Sequence, residues 1–438
     1  MFSHPHRTPL GRSRSVGAAC GLVALTAVFS FGALQAHAAP LTLDDALRMA
    51  QERSRQLPAH DASAAASREM AIAAGQRPDP ILKAGINNLP INGPDRFSLS
   101  RDFMTMRSVG VMQEFTREGK LKARTARFER DAEVAEAGRE LALANLRRDT
   151  AMAWLDRHYQ ERIRDVLTAQ RDEAKLQIDA ADAAYRGGRG SQADVFAARS
   201  SVAQIEDRLA QTQRQVATAT TQLARWVGTP AAEVLGVPPV LDAVRIRAED
   251  LDSQLAHHPQ IEVLSRQEAM AQADAEVARA NKKPDVSVEL MYNQRGPAYS
   301  NMISINLSVP LQWDQTYRQD REVAAKLAII ERVRAEREEV TRMIAAEALA
   351  MLQEWRSDRG RLTHYDASLL PLATERTRAS IAAYRGGSGP LTAVLEARRG
   401  EIDTRMDRLR LEMGAARLWA QINYLMPVGH DTPAAARP

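Results

Sequence analysis

The sequence predicts a mainly α-helical fold with a small β part, arranged as two copies of one unit. Three observations lead to this prediction. Only 5 % of the 438 residues are aromatic, whereas alanine and arginine, which propagate helices well, recur throughout. Two very long segments carry a helical pattern with almost no proline. An internal repeat relates the two halves of the chain, and such a repeat dictates the architecture.

The N-terminal residues 1–38 have the three parts of an export signal. Arg7 to Arg14 supply positive charge, residues 16–34 are uncharged, and Ala36-His37-Ala38 forms a cleavage site. We therefore expect cleavage after Ala38. The alternative is a retained membrane anchor, because the uncharged run is just long enough to span a bilayer. The only cysteine, Cys20, lies at the start of this run, so we expect no lipid anchor and no disulfide in the mature chain.

The charge of the mature chain is nearly balanced. Without the three leader arginines, the 59 basic residues become 56, against 55 acidic ones. A protein that binds nucleic acid through its phosphates needs a clear basic excess, so this balance removes the electrostatic case for a nucleic-acid partner.

The internal repeat defines the predicted domains. The segment AAYRGGRGSQADVFAAR at 183–199 aligns without gaps to AAYRGGSGPLTAVLEAR at 382–398, with identity at 10 of 17 positions. An RPD triplet at 77–79 similarly recurs as KPD at 283–285. We predict a first repeat at 39–228, a linker at 229–250, a second repeat at 251–426 and a flexible tail at 427–438.

Each repeat contains a long helix followed by a Gly-rich turn and a returning helix. Residues 120–185 contain no proline, and a helix of that span reaches about 100 Å. The matching stretch 318–384 is as long, and we expect Gly360 and Pro371 to bend or interrupt it. The returning helices carry apolar residues at spacings of three and four, as in a coiled-coil seam. They are Val195, Ala198, Val202, Ile205, Leu209, Thr212, Val216, Ala219, Leu223 and Trp226 in the first, and Ile402, Met406, Leu409, Met413, Ala416 and Ala420 in the second.

Four short runs alternate apolar and polar residues with period two. They lie at 81–89 and 107–115 in the first repeat, within a strand pair at about 78–115, and at 286–292 and 303–309 in the second, within a pair at about 284–311. Such runs are typical of transmembrane β-barrel strands. Soluble hairpins packed on the helices would show the same alternation, so both interpretations remain open.

A membrane location for these strands would require oligomerisation. Four strands cannot close a barrel, and an open edge in lipid leaves backbone groups without hydrogen bonds. Three copies would supply twelve strands, with the helices free to form a second tube below them. A polar-inside barrel continued by a helical tube is a conduit rather than a catalyst.

The export signal, the two-fold repeat, the strand pairs opening with RPDP and KPDV, and the paired AAYRGG segments resemble the outer-membrane factors, the TolC family of efflux ducts. The resemblance implies a homotrimer with a twelve-stranded β-barrel in the Gram-negative outer membrane, in contact with its lipid, and an α-barrel reaching into the periplasm. It implies docking to a periplasmic adaptor and an inner-membrane transporter of the resistance-nodulation-division class. Residues 88–115 look most like the heavy-metal branch.

The expected function is therefore the outer-membrane channel of a tripartite efflux system, exporting a substrate that the branch resemblance suggests is a heavy-metal cation. The alternative is a periplasmic coiled-coil adaptor or scaffold protein of an export complex. An adaptor carries one helical hairpin rather than two complete repeats, and a soluble scaffold leaves the four alternating runs unexplained.

By the same resemblance, the Gly-rich turns map onto the periplasmic aperture that the adaptor engages. The candidate residues are Tyr185, Arg186, Gly187, Gly188, Asp194, Tyr384, Arg385, Gly386, Gly387 and Glu396. Ala393 stands where some relatives carry another carboxylate, which implies a narrower acidic ring. Carboxylates repeated around a symmetry axis favour cations. The alternative is that these side chains only cap and staple helix ends, where Asp194 is favourable anyway.

No enzyme, cofactor or metal site is predicted. Motifs of hydrolases and metalloproteases are absent from the sequence, and the glycines at 187–190 lack the Lys-Ser/Thr of a phosphate loop. Met104, Met106 and Met112 carry thioethers that suit Cu(I) or Ag(I), but methionine near a strand is more often an apolar filler. His257 and His258 precede Pro259, where we expect a helix end at the surface.

Overall fold

The computed structural model describes residues 40–247, 249 and 251–426. The predicted signal peptide at 1–38 and the predicted tail at 427–438 lie outside the described residues. The first repeat contains α1 (Leu43–Arg53), α2 (Gln56–Ala74), β1 (Ile81–Asn87), β2 (Met106–Phe115), α3 (Glu118–Arg186) and α4 (Gln192–Val227). The second contains α5 (Leu251–Leu255), α6 (Pro259–Asn281), β3 (Val286–Gln294), β4 (Met302–Ser308), α7 (Gln319–His364), α8 (Leu370–Arg385) and α9 (Leu391–Asn423).

The long helix of the first repeat is unbroken, as predicted. Helix α3 has 69 residues, which corresponds to about 100 Å. The seam predicted for α4 is buried along most of its length, although Val216 is only half-buried and the seam ends on Val227 rather than Trp226. The seam of α9 is likewise buried except for Met413.

The long helix of the second repeat is interrupted at one of the two predicted places. Gly360 lies inside α7 and does not interrupt it. Glycine lowers helix stability but leaves the backbone hydrogen bonds intact. Pro371 lacks a backbone N–H donor, and its ring crowds the preceding turn. The helix accommodates it with a π-helical turn at Tyr365–Leu369. There the N–H of Leu370 donates to the carbonyl of Tyr365, five residues back.

Four of the long helices lie side by side. Helix α9 contacts α3 and α8, and α3 contacts α4. One apolar cluster joins α3, α4 and α9. Its buried members are Ile163, Leu167, Ala174, Val202, Ile205, Leu209, Ile402, Met406 and Leu409. Repeat one and repeat two are therefore joined along a shared apolar seam. Within the described part of the chain, no helix is both long and apolar enough to cross a bilayer.

A second cluster surrounds Trp154 at the middle of α3. Its indole N–H donates to the carbonyl of Leu41 at 3.0 Å, and Leu41 forms an isolated parallel bridge with Leu235. Arg157 donates to the carbonyls of Ala231 and Glu233. These bonds hold the segment after α4 against the helices.

The histidine pair differs from its prediction. His258 is buried rather than at a surface helix end, and it starts α6 as its N-cap residue. Its Nδ1 accepts a hydrogen bond from the backbone N–H of Gln260 at 3.2 Å. A neutral imidazole nitrogen thus performs the task that an Asn or Ser oxygen usually performs. Burial lowers the pKa of His258 to about 4, which keeps this nitrogen unprotonated and able to accept.

The four strands form one antiparallel sheet in the order β1-β2-β3-β4. Strand β2 of the first repeat pairs with β3 of the second, with Val111 opposite Leu290. The buried ion pair between Lys120 and Asp285, with Nζ and Oδ2 2.6 Å apart, fixes the two repeats to each other below the sheet. Asp285 belongs to the repeated KPD triplet and also accepts from the backbone N–H of Arg117.

Candidate functional site

The two Gly-rich turns have the same backbone structure. In the first, the N–H groups of Gly187, Gly188 and Arg189 donate to the carbonyls of Ala183, Tyr185 and Ala184. The second turn repeats all three bonds 199 positions later, with lengths that agree within 0.1 Å. Gly188 and Gly387 have φ angles of 69° and 73°, a region that side chains with a Cβ disfavour. The repeated sequence therefore forms the same helix-to-helix turn in both halves of the chain.

The two turns lie at the same end of the molecule and share an apolar cluster. It contains Ala181 of α3, Val195 and Ala198 of α4, and Leu391 and Val394 of α9. Tyr384 packs against this cluster, whereas its counterpart Tyr185 is 47 % exposed. The structure thus brings the predicted tip residues of both repeats together, with the two tyrosines in different environments.

Asp194 caps a helix. Its carboxylate accepts from the N–H and hydroxyl of Ser191, at 2.9 and 2.7 Å, while the Ser191 hydroxyl accepts from the Asp194 N–H. This reciprocal arrangement is a capping box. Hydrogen bonds from the backbone and then the side chain of Ser191 lower the pKa of Asp194. The second repeat has Pro390 and Ala393 at the matching positions, and α9 begins without a side-chain cap.

The remaining charged tip residues are exposed. Arg186 pairs with Asp182 one turn earlier at 2.5 Å. Arg385 has no ion-pair partner among the residues that the structure describes, since Ile381 occupies the position matching Asp182. Glu396 is exposed on α9. Arg385 and Glu396 are therefore available for contacts with another chain, whereas Asp194 is already engaged.

A network of ion pairs between the tips and the sheet was not predicted. Arg208 of α4 reaches Asp403 of α9 at 2.6 Å, and Arg398 pairs with Glu173 of α3. Further from the tips, Arg408 binds Asp366 of the π turn at 2.5 Å. These partners lie far apart in sequence, so no local spacing could have indicated them.

One face of the sheet is apolar and points away from the protein. Its side chains include Leu82, Ala84 and Ile86 of β1, Val109, Val111 and Phe115 of β2, Val286, Val288, Leu290 and Tyr292 of β3, and Ile303, Ile305 and Leu307 of β4. Most of the large ones are exposed in the single chain, and Ile305 is 73 % exposed. Soluble monomers rarely expose a contiguous apolar surface of this kind. Soluble hairpins packed on the helices would bury this face. They therefore do not explain the alternation of apolar and polar residues in the four strands.

The opposite face is polar and internally hydrogen-bonded. The amide of Asn87 donates to Ser108 at 2.6 Å, Ser108 donates to Asn293 at 2.7 Å, and Asn293 donates to Ser304 at 2.9 Å. This polar ladder crosses all four strands. Lys83 on the same face binds Glu289 across β2, with Nζ and Oε2 2.9 Å apart.

The sheet has two open edges. In the described chain, β1 pairs only with β2 and β4 only with β3, so the outer backbone groups of β1 and β4 lack strand partners. Exposed aromatic side chains lie in the segments that flank the strands at both ends of the sheet. Phe97, Phe103 and Tyr299 lie in the connections at one end, while Trp313 and Tyr317 follow β4 at the other. Aromatic girdles of this kind flank the lipid-facing band of membrane barrels.

The predicted candidate methionines fall in two places. Met104 lies in the connection before β2 and is exposed, whereas Met106 and Met112 lie on the polar face of β2. No group of three or more His, Cys, Asp or Glu side chains that could hold a metal is found among the described residues.

Comparison with known proteins agrees with this architecture. Residues 43–229 match a family model described as outer membrane efflux protein. The fold resembles that of VceC from Vibrio cholerae, with a TM-score of 0.73, 18 % identity, and coverage of 87 % of this chain and 95 % of that one. The corresponding values are 0.72, 13 %, 89 % and 87 % for the Campylobacter jejuni CmeC outer membrane channel, and 0.73, 14 %, 88 % and 92 % for CusC. No curated protein gives a significant match.

Proposed function

Since the first repeat belongs to the outer membrane efflux protein family and the described chain has the fold of such channels, we propose that this protein is the outer-membrane channel of a tripartite efflux system. Its sheet would line part of a barrel in the outer membrane, and its long helices would extend the conduit into the periplasm. The matched family is one of channels, not enzymes.

The observation that carries this proposal is the two-faced sheet. An apolar face with aromatic ends suits lipid, and a polar face with an internal hydrogen-bond ladder suits a water-filled lumen. Backbone groups at an open edge are costly in lipid, so the outer edges of β1 and β4 require strand partners.

A homotrimer supplies those partners. Neighbouring strands alternate in direction through the order β1-β2-β3-β4, so β4 of one copy is antiparallel to β1 of the next. A ring of copies therefore closes with uniform antiparallel pairing, and three copies give twelve strands. In this assembly the first repeat, the linker at 229–250 and the second repeat form one subunit.

The tips would form the periplasmic aperture and the docking surface for an adaptor that links the duct to an inner-membrane resistance-nodulation-division transporter. This proposal is supported by the exposure of Arg385 and Glu396, which lie at tips whose two turns have the same backbone hydrogen bonds. Asp194 would act on the aperture indirectly, by fixing the start of α4. For the cargo, the sequence similarity of residues 88–115 to the heavy-metal branch favours metal cations.

The test is assembly and conductance of the purified mature protein in detergent and planar lipid bilayers. We expect a heat-modifiable trimer in outer-membrane fractions and stable single channels after reconstitution. An adaptor or scaffold would give neither. A monomer that remains soluble without detergent and does not conduct would refute the proposal.

A further inference from the structure

The polar face of the sheet also carries a few apolar residues, and nearly all of them are methionine. The strand register places seventeen residues on this face, and five of them are apolar. One is Ile81 at the first position of β1, and the other four are methionines: Met106, Met112, Met291 and Met302. The apolar face carries aliphatic and aromatic residues, together with Arg107, Gln113 and Gln294 towards the strand ends, but no methionine. All strand methionines thus point to the side assigned to the lumen.

Three of these methionines form a diagonal across neighbouring strands. Met112 of β2 lies opposite Glu289 of β3, and Met291 is the next residue of β3 on the same face. Met291 lies opposite Ser304 of β4, and Met302 is again the next residue on that face. Diagonal neighbours of this type lie about 7–8 Å apart, within reach of long side chains. The line rises by about 7 Å at each step.

The packing around the middle methionine keeps it on this surface. Met291 lies opposite Gly110, and a Cβ at Gly110 would come within 2.6 Å of the Met291 Cγ. The missing side chain at Gly110 therefore makes room for the side chain of Met291 to lie against β2. Beside it, Lys83 and Glu289 neutralise each other at 2.9 Å, so the strongest charges nearby are already paired.

The choice of methionine over leucine has a chemical consequence. Leucine fills nearly the same volume, so an apolar filler would not select one residue type at four positions. A thioether adds a soft, uncharged sulfur ligand, which suits Cu(I) and Ag(I) and is ignored by Na⁺, Mg²⁺ or Ca²⁺. Because the ligand carries no charge, each contact is weak and reversible, as a conduction path requires.

We infer that Met112, Met291 and Met302 form a stepwise path for soft monovalent cations, Cu(I) or Ag(I), along the barrel lumen. This inference rests on the proposed function, because the polar face must line a conduit. It extends that function by assigning a cargo class to particular side chains in the membrane part of the duct, rather than to the periplasmic tips.

The test is the effect of Ag⁺ on single-channel current in nitrate buffer, which avoids silver chloride. We expect Ag⁺ to lower the mean potassium current of the wild-type trimer in a concentration-dependent way. The triple variant M112L/M291L/M302L should keep its potassium conductance but shift the half-blocking Ag⁺ concentration upward by at least about tenfold. Met70 and Met343 are exposed on helices, so M70L/M343L is the matched control and should behave like the wild type.

A second measurement is the amount of Ag⁺ bound per trimer at equilibrium dialysis, which should fall in the triple variant and not in the control. Ag⁺ block and binding that are unchanged in the triple variant would overturn the inference. Potassium channels that ignore Ag⁺ altogether would overturn it too, while leaving the efflux-channel function intact. A protein with no conductance under any condition would refute both.

Discussion

Two adjacent residues of β4 allow a sharp test of which face of the sheet contacts lipid. Ile305 is the central residue of the seven-residue strand, lies on the apolar face and is 73 % exposed in the single chain. Its neighbour Asn306 lies on the polar face, opposite Glu289. The substitutions Ile305→Lys and Asn306→Lys therefore place the same charge at nearly the same depth but on opposite sides of the sheet.

The expected difference is large. A lysine on the lipid face near the bilayer midplane costs about 2–4 kcal/mol, whereas a lumen lysine stays hydrated. For Ile305→Lys this amounts to about 6–12 kcal/mol over three subunits, if each contributes independently. Per subunit, it corresponds to a roughly 30- to 700-fold change in the folding equilibrium. Asn306→Lys should instead leave stability nearly unchanged and reduce cation conductance through three added positive charges.

The assay is urea unfolding of trimers in lipid vesicles, combined with the heat-modifiable trimer in outer-membrane fractions. Ile305→Lys should lower the unfolding midpoint and deplete the trimer, while Asn306→Lys should do neither. Equal tolerance of both lysines, or a reversed order, would show that this sheet does not lie in a bilayer with its apolar face outward.

Three further outcomes follow from the helix ends. Asp194→Ala removes the N3 half of the capping box and a favourable negative charge at the helix N-terminus, so it should destabilise the protein by about 0.3–1 kcal/mol in thermal unfolding, whereas a fully tolerated change would show that this carboxylate is dispensable. Gly387→Ala should cost about 1 kcal/mol because its φ is positive, while Gly386→Ala, with a negative φ, should cost less; equal effects would contradict the turn geometry. The folded-state pKa of His258 lies below its unfolded value of 6.5, so its contribution is present above pH 6.5 and is lost as the pH falls towards 4. His258→Asn keeps a cap acceptor and should therefore reduce the loss of stability between pH 7 and pH 5, and an unchanged pH dependence of urea unfolding would count against this role.

Periodicity and repetition predicted most of the fold. The seams of α4 and α9, the 69-residue helix α3 and the four strands follow from spacings that the chain carries locally. The resemblance to outer-membrane factors is supported by the family match over residues 43–229 and by the fold. Gly360 does not interrupt α7, because the neighbouring turns of a long packed helix outweigh one poor helix former.

The candidate site was predictable only in part. The Gly-rich turns can be recognised in the sequence, because both reversals need a positive φ and therefore glycine at matching positions of the repeat, Gly188 and Gly387. The ion pairs Arg208–Asp403 and Arg408–Asp366 depend on which helices become neighbours. The cap formed by His258 was missed because only burial shows that its imidazole stays neutral. The alignment of methionines on the polar face required the pairing register, which joins residues about 180 positions apart.

The unpaired borders of β1 and β4 have a consequence for biogenesis. A single subunit carries exposed apolar side chains beside two rows of unpaired amides and carbonyls, which is the combination that promotes strand-to-strand aggregation in water. In the proposed pathway through the periplasm, the subunit must therefore be bound by a chaperone or assemble rapidly with other copies. In the proposed trimer, a defective copy that keeps one intact strand edge would still bind normal subunits and inactivate the assembly, so loss-of-function alleles in this sheet should be dominant.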